Sequence, residues 1–272
     1  MVTFLPTPIG NLQDISFRTL EVLERCEVLL CEDTRVTKKL LSLLVERGFL
    51  KNKIYQYIPF HTHNQAEFLK QVSLDFFSQN IAFLSDAGMP CISDPGVELV
   101  RFLQINALEY EVVGGISALT LAVAFSGIVE KEFTFLGFPP HKKKERLENF
   151  AENFKSAYPL IYYESPHRLL ETLEMMCEVD SQRVVFLAKE LTKKYQQTYK
   201  GTLQEVLKEL QKTSIKGEWV VVLENKKEIE KEKTLTQEMI YLLDIPPKIK
   251  AKILSKLNNK PASEYYDLLC QK

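Results

Sequence analysis

Short apolar runs alternate with helix-patterned segments along the first half of this chain. The runs are VTFLP, EVLLCE, KIYQYIPF, NIAFLSD and YEVVGG; between them lie a helix from about Phe17, TKKLLSLLVERG and QAEFLKQVSLDFF. Strands separated by helices need right-handed crossovers, hence a mainly parallel sheet covered on both faces. Ligands of such sheets bind beyond the carboxyl ends of the strands. Three turn-rich loops follow strands at those ends: PTPIGNL after Phe4, SDAGMPCISDPG after Leu84 and GGIS after Val113. They are expected to meet on one rim.

The second half alternates in a different style. EFTFLGF, PLIYYES, RVVFLAKEL, QQTYKG and EWVVVLEN are interleaved with helical patterns at KKKERLENFAENF, after Pro166, and at Leu203, Val206, Leu207 and Leu210. A second α/β domain with some antiparallel pairing follows. The expected organisation is an N-terminal α/β domain over 1–114, a C-terminal α/β domain over 115–225, and a linker with a basic helical tail over 226–272. NKKEIEKEK, Asn225 to Lys233, reads as a solvated linker. In the tail, Ile249, Ile253, Leu254 and Leu257 mark one helix face, while Lys248, Lys250, Lys252 and Lys256 cover the rest.

The net charge of −1 advertises no polyanionic partner by itself, so any electropositive site comes from local clustering. The five cysteines are scattered without a C-x-x-C pair, which fits reduced thiols in a cytosolic protein. The uncharged run Val112 to Val129 approaches the length of a spanning helix, but its glycines and hydroxyl residues fit a buried strand, a turn and a buried helix. Neither G-x-x-x-x-G-K-[ST] nor G-x-G-x-x-G is present, which weakens nucleotide hydrolysis and nicotinamide chemistry.

Five constellations have the residue types of a site. Asp86, Ala87 and Gly88 put one carboxylate beside exposed backbone, suited to ribose hydroxyls, an amino group or a cationic centre; Asp86 and Asp94 also suit turn closure, but two such residues within one fourteen-residue loop at a strand end favour a binding loop. CEDTR places Glu32, Asp33 and Arg35 where a strand gives way to a helix, with Asp33 or Thr34 as N-cap. FHTHNQ puts His61 and His63 at alternate positions, on one face if the strand continues that far. No third ligand stands at a characteristic spacing, so no metal is expected. YYESPHR brings Glu164, His167 and Arg168 to another strand-to-helix junction, and AKELTKKY and HKKKER gather basic residues that are more often solvated helix faces than nucleic-acid contacts.

Together these residues resemble the tetrapyrrole methylase superfamily and, within it, the bacterial small-subunit ribosomal RNA cytidine 2'-O-methyltransferases. The resemblance rests on LPTPIGNLQDISFRTLEVL, CEDTR, FHTHNQ, SDAGMPCISDPG, FTFLGFPP, YYESPHRLLETL, LAKELTK and KGEWVVVLE, in family order, and the tail resembles the family's helical C-terminal piece. It implies two α/β domains of the tetrapyrrole methylase type with a small helical appendage, S-adenosylmethionine in the cleft between the domains, and a homodimer. Carried over by position, the donor site is Pro8, then Asp86, Ala87 and Gly88, then Ser117 and Ala118, with Tyr163, Ala188, Gly217 and Glu218 as the remaining walls. Gly114, Gly115 and Ile116 stand where the family commonly has Pro-Gly-Pro, and Met89 where it commonly has Thr.

The implied reaction is attack of a ribose hydroxyl on a sulfonium methyl, where positioning supplies most of the catalysis. A base for the hydroxyl proton is sought among Glu32, Asp33, His61, His63, Glu164, Lys189 and Glu190. Asp33 with Arg35 is assigned to the nucleotide, and Glu164 to the neighbourhood of the reacting ribose. The expected partner is small-subunit ribosomal RNA or the assembled subunit, in the cytoplasm and without a membrane. The rivals are a tetrapyrrole C-methyltransferase of the same fold, a metal-dependent hydrolase using His61, His63 and Asp33, and a non-catalytic RNA-binding module. The last would carry a basic net charge and stacking aromatics rather than deep loops.

Overall fold

A computed structural model describes residues 1–225 and 236–270. The chain divides into two compact units, Met1–Lys226 and Lys227–Lys272.

The first unit holds two five-stranded sheets. Strands β1 (Val2–Leu5), β2 (Val28–Cys31), β3 (Gln56–Pro59), β4 (Ile81–Leu84) and β5 (Tyr110–Val112) form the first, in the order β3-β2-β4-β1-β5, and every pairing is parallel. Strands β1, β2 and β4 are buried at every position, as a sheet covered on both faces demands. Alternation along them sends Leu5, Leu29 and Leu84 towards α1 (Phe17–Arg25) and α2 (Thr34–Glu46), where Leu23, Leu41 and Leu44 meet them. Phe4, Leu30 and Phe83 face the other way, against Leu99 and Leu103 of α4 (Val97–Ile105) and Phe68 of α3 (Gln65–Gln71). Helix α4 has no counterpart among the sequence-based expectations, because VELVRFLQI carries too few polar positions to show its period beside a loop rich in turn residues.

The second sheet is mixed: β6 (Thr134–Phe135), β7 (Leu160–Glu164), β10 (Trp219–Leu223), β8 (Val184–Lys189) and β9 (Gln197–Thr202), in that order. The β6–β7 pairing is parallel and the other three are antiparallel. One face packs on α6 (Lys143–Asn153), α7 (Leu169–Asp180) and α8 (Leu203–Leu210) through Phe150, Leu173, Val206 and Trp219. The other packs on α5 (Ala118–Ser126), with Leu119 and Ala122 against Ile161, Phe186 and Val222. The uncharged run Val112 to Val129 thus divides into the end of β5, a turn and α5; among the described residues no helix is long and apolar enough to cross a membrane.

In the second unit, α9 (Gln237–Leu242), α10 (Pro247–Asn258) and α11 (Ala262–Cys270) enclose Ile240, Ala251, Leu254 and Tyr265. The apolar face expected on α10 is rotated: Leu254 is buried and Ile253 packs beside it, but Ile249 and Leu257 are each 48% exposed. Ala251 and Leu254, three apart, present the face that the neighbouring helices cover. The charged run read as a linker lies outside the described residues, apart from its first member, Asn225.

Candidate active site

The three turn-rich loops do converge. Thr7 and Gly88 exchange backbone hydrogen bonds, both at 2.9 Å, which stitches the loop after β1 to the loop after β4. The third loop reaches the same place because Gly115 lies under Pro6: a Cβ there would stand 2.2 Å from the Pro6 Cγ. Of the family's Pro-Gly-Pro, the glycine is therefore the member that the packing demands.

Between these loops and the second sheet lies a cavity of about 330 Å³. Ile9 enters it from the first loop, Asp86 to Gly88 from the second, and Ser117 and Ala118 from the third. The opposite wall is Tyr163 and Glu164 at the end of β7, Ala188 on β8, and Glu218 with Val220 at the start of β10. Tyr163 is held by an edge contact with Phe135, and its hydroxyl accepts the Leu119 N–H at 3.2 Å beside the Ser117 hydroxyl, which caps α5. Burial pushes that phenol's pKa up.

The electrostatics are one-sided. Glu32, Asp86, Asp94, Glu164 and Glu218 line the cavity, and among the described residues no lysine, arginine or histidine does. Burial, then Glu32, raises the pKa of Asp86. Asp94 is pushed up to about 7 by burial, then by Glu32 and Asp86, with the Ser85 hydroxyl favouring its charge. No N–H donor or cation engages the Asp94 carboxylate among the described residues. Repulsion within such a cluster is relieved by a proton or a cationic ligand.

The loop carrying Asp86 and Asp94 holds its shape at a cost. Cys91 and Ser93 both adopt left-handed backbone, at φ 67 and 66, which non-glycine residues occupy only when the surroundings over-determine it. Cys91 packs within the core cluster of Phe83 and Leu99, and Pro95 is buried.

Several expected residues stand elsewhere. Pro8 and Gly217 flank lining residues but do not line the cavity; Gly217 lies against the Glu190 side chain. Asp33 is the N-cap of α2, and its carboxylate takes Arg35 N–H at 2.8 Å and the guanidinium at 2.6 Å, which holds its pKa down at about 2. That pair is surface-exposed, with the Arg35 side chain 89% exposed. His61 and His63 do not share a strand face, because β3 ends at Pro59 and both lie in the following turn; their rings meet edge to face at 6.0 Å. Among the described residues no group of three His, Cys, Asp or Glu side chains is arranged so that it could hold a metal ion.

Lys189 is turned to the far face of β8, where its ammonium donates to the Ser214 carbonyl at 2.5 Å and stands over Trp219. Strand alternation explains this, since Ala188 faces the cavity. Glu190 accepts the Glu218 N–H and the Lys193 ammonium, each at 2.9 Å. Burial raises its pKa, but those partners outweigh it and the net shift is down. Glu164 is buried and receives the Thr172 hydroxyl at 2.5 Å and the Ser165 N–H at 2.8 Å, with Arg168 at 3.6 Å. The HKKKER run is neutralised: Lys142 pairs with Glu145, and Lys143 and Arg146 both pair with Glu171.

Sequence reasoning passed over Ile9, Ile92, Phe138, Leu191 and Trp219 as lining residues, and placed Asp94 in the binding loop without giving it a role. Its position two residues beyond Ile92 in a loop already assigned to a ligand was the available signal.

Two α/β sheets that share one cleft, built from strand-end loops on one side and a mixed sheet on the other, define a two-sheet α/β enzyme with a cation-seeking site. The chain belongs to the Tetrapyrrole (Corrin/Porphyrin) Methylases, a family that matches it over residues 1–207. It is 48% identical, over 98% of its length and 96% of the relative's, to a Helicobacter pylori protein named ribosomal RNA small subunit methyltransferase I. A Campylobacter fetus protein of the same name is 45% identical over 99% of both chains. Among solved structures, the methyltransferase CobJ superposes at TM-score 0.59 with 15% identity, covering 82% of this chain and 93% of its own. Uroporphyrin-III C-methyl transferase from Thermus thermophilus, complexed with S-adenyl homocysteine, superposes at 0.55 with 13% identity, covering 81% and 96%. At those identities the two structures share the fold.

Proposed function

We propose that this protein transfers a methyl group from S-adenosylmethionine to the ribose 2'-hydroxyl of a cytidine in small-subunit ribosomal RNA, and that it does so as a cytoplasmic homodimer. The observation that carries the reading is identity of 48% and 45% along nearly the whole chain to proteins named for methylation of that RNA. The two solved methyltransferases resemble it at 15% and 13%, by fold alone.

The cavity's chemistry fits the donor. S-adenosylmethionine supplies, when bound, an electrophilic methyl on a sulfonium, together with an ammonium group; five carboxylates with no cation among them suit such a molecule. Asp86, Ala87, Gly88, Ser117, Ala118, Tyr163, Ala188 and Glu218 are the residues that hold it, with Pro8 and Gly217 shaping the loops behind them. Holding the hydroxyl oxygen in line with the methyl supplies most of the rate.

The proton of the attacking hydroxyl is taken by Asp94. Asp33, Glu190 and Lys189 do not line the cavity and are committed to other partners, and Glu164 is saturated by Thr172, Ser165 and Arg168. Asp94 lines the cavity, accepts from no N–H among the described residues, and titrates at about 7, where a base is both ionised and basic at neutral pH.

The test is transfer of labelled methyl to small ribosomal subunits that lack the modification, with and without a chelator, followed by nuclease mapping. Label on one cytidine ribose, unaffected by chelator, supports the reading. Label on a tetrapyrrole and none on RNA would overturn it, and light scattering reports the dimer.

A further inference from the structure

The cavity adjoins a second hollow of about 640 Å³ that the methyl-transfer chemistry does not use. Consecutive residues connect the two: Ile9 lines the first and Gly10 the second, and Leu191 lines the first and Thr192 the second. Their charges are opposite. Among the described residues the hollow is bordered by Arg47, Lys193 and Lys194 and by no carboxylate, whereas every charged residue of the cavity is acidic.

The seam between them is tightly built. The Asn11 N–H donates to the Thr192 hydroxyl at 3.1 Å, and a Cβ on Gly10 would stand 2.4 Å from the Lys193 Cγ, so only glycine lets the first loop come this close. Thr192 is left-handed at φ 63, and its N–H is held by the Gln196 side chain at 2.7 Å. Lys193 bridges Glu190 and Glu218 at the border itself.

Beyond the seam, among the described residues, no carboxylate pairs with Arg47 or Lys194. The Arg47 guanidinium has no partner among the described residues, and Lys194 stands over the ring of Tyr195 at 5.4 Å. Two aromatic rings accompany them, Phe49 at 40% and Tyr195 at 71% exposure. Free cations beside exposed rings and amide side chains are what a single strand of nucleic acid meets in sequence-tolerant grooves: phosphates on the cations, bases on the rings. An acidic peptide would use the cations and leave the rings unexplained. The basic run Lys142 to Arg146 offers no comparable surface, since its charges are already paired.

We propose that this hollow seats the RNA strand flanking the target nucleotide, with Arg47 and Lys194 on its phosphates and Phe49 stacked on one unpaired base, so that the neighbouring ribose is delivered to the cavity. The proposal rests on the RNA reading of the active site. It divides the labour by charge, the cationic donor going to the acidic cavity and the polyanion to the basic hollow.

The experiment compares the full-length protein with Arg47→Ala/Lys194→Ala and with Phe49→Ala. Three quantities are read: filter binding of a twelve-nucleotide cytidine-containing RNA across a salt series, donor affinity by calorimetry, and transfer to small ribosomal subunits. The double variant is expected to weaken RNA binding and raise KM at least tenfold, with donor affinity and kcat within twofold. Its log K against log salt slope should shrink by about 1.4, about 0.7 for each phosphate of a single strand that is no longer neutralised. Phe49→Ala should weaken binding without changing the slope. Unchanged RNA affinity in the double variant, equal binding of polyglutamate, or a parallel fall in donor affinity would overturn the proposal. If the wild type binds RNA through these residues yet transfers no methyl to it, the hollow stands and the RNA-methylation reading fails.

Discussion

The backbone N–H of Asp86 donates to the Glu32 carboxylate at 3.1 Å, while the Asp86 carboxylate accepts the Asp33 N–H at 3.0 Å. The loops after β2 and β4 are thus cross-linked through side chains of one sign, an arrangement that sets the two carboxylates against each other and fixes their spacing. Asp86→Ala removes the acceptor and leaves the Asp33 N–H partly buried without a partner, a loss of about 1–3 kcal/mol. Donor affinity should fall at least tenfold in calorimetry, with urea unfolding reporting the stability change.

Asp94→Asn separates catalysis from stability. In single-turnover transfer the rate should drop by about 10² to 10⁴ while donor binding survives. The wild-type rate should rise with pH through about 7 and level off above, as the Asp94 carboxylate ionises, and the variant should lack that limb.

The stability effect has the opposite sign. Asp94 in the folded protein holds its proton to about 7, against an ordinary value of 3.8, so its favourable contribution is complete below the ordinary value and is lost as pH rises through about 7. Asparagine carries no such charge. The variant should therefore melt higher than the wild type at pH 8 and no higher at pH 4, as calorimetric scans at the two values would show.

Gly115→Ala forces a methyl group against the Pro6 ring, with Cβ to Cβ and Cγ distances of 2.3 and 2.2 Å. A proline ring cannot swing aside as a flexible side chain would, so a backbone shift is expected, at about 1–3 kcal/mol. Because the shift moves the first loop against the third, donor affinity should fall with stability in the same urea and calorimetry series.

Thr172→Val tests whether Glu164 is structural as well as cavity-lining. The Thr172 hydroxyl donates to Glu164 at 2.5 Å and receives Arg146 at 3.2 Å, and all three residues are buried. Its loss should cost about 1–3 kcal/mol in urea unfolding. Donor affinity should stay within threefold, since Thr172 stands behind the wall rather than in it.

The alternation of strand and helix made the parallel sheet, its covered faces and the meeting of three loops readable from the sequence, because each rests on a local period. What stayed hidden needed depth or direction. Lys189 read as a basic candidate, yet one step of strand alternation places it across the sheet from Ala188. Asp33 and Arg35 looked like site residues, but they satisfy each other at a helix start. Asp94 stood in the expected binding loop without a role, because a turn-forming aspartate and a desolvated one are spelled the same way, and only the fold brings Glu32 and Asp86 to its side. The helix α4 was concealed by apolar density, and the brevity of β6, two residues, by the longer apolar run around it.

The left-handed residues Cys91 and Ser93 commit the loop after β4 to its shape before any ligand arrives. A donor meeting a finished pocket needs no folding step on entry, so its arrival should be paced by encounter and its affinity tuned through the lifetime of the complex. Relaxing that backbone, for instance with glycine at both positions, would then appear first as a slower and temperature-sensitive on-rate.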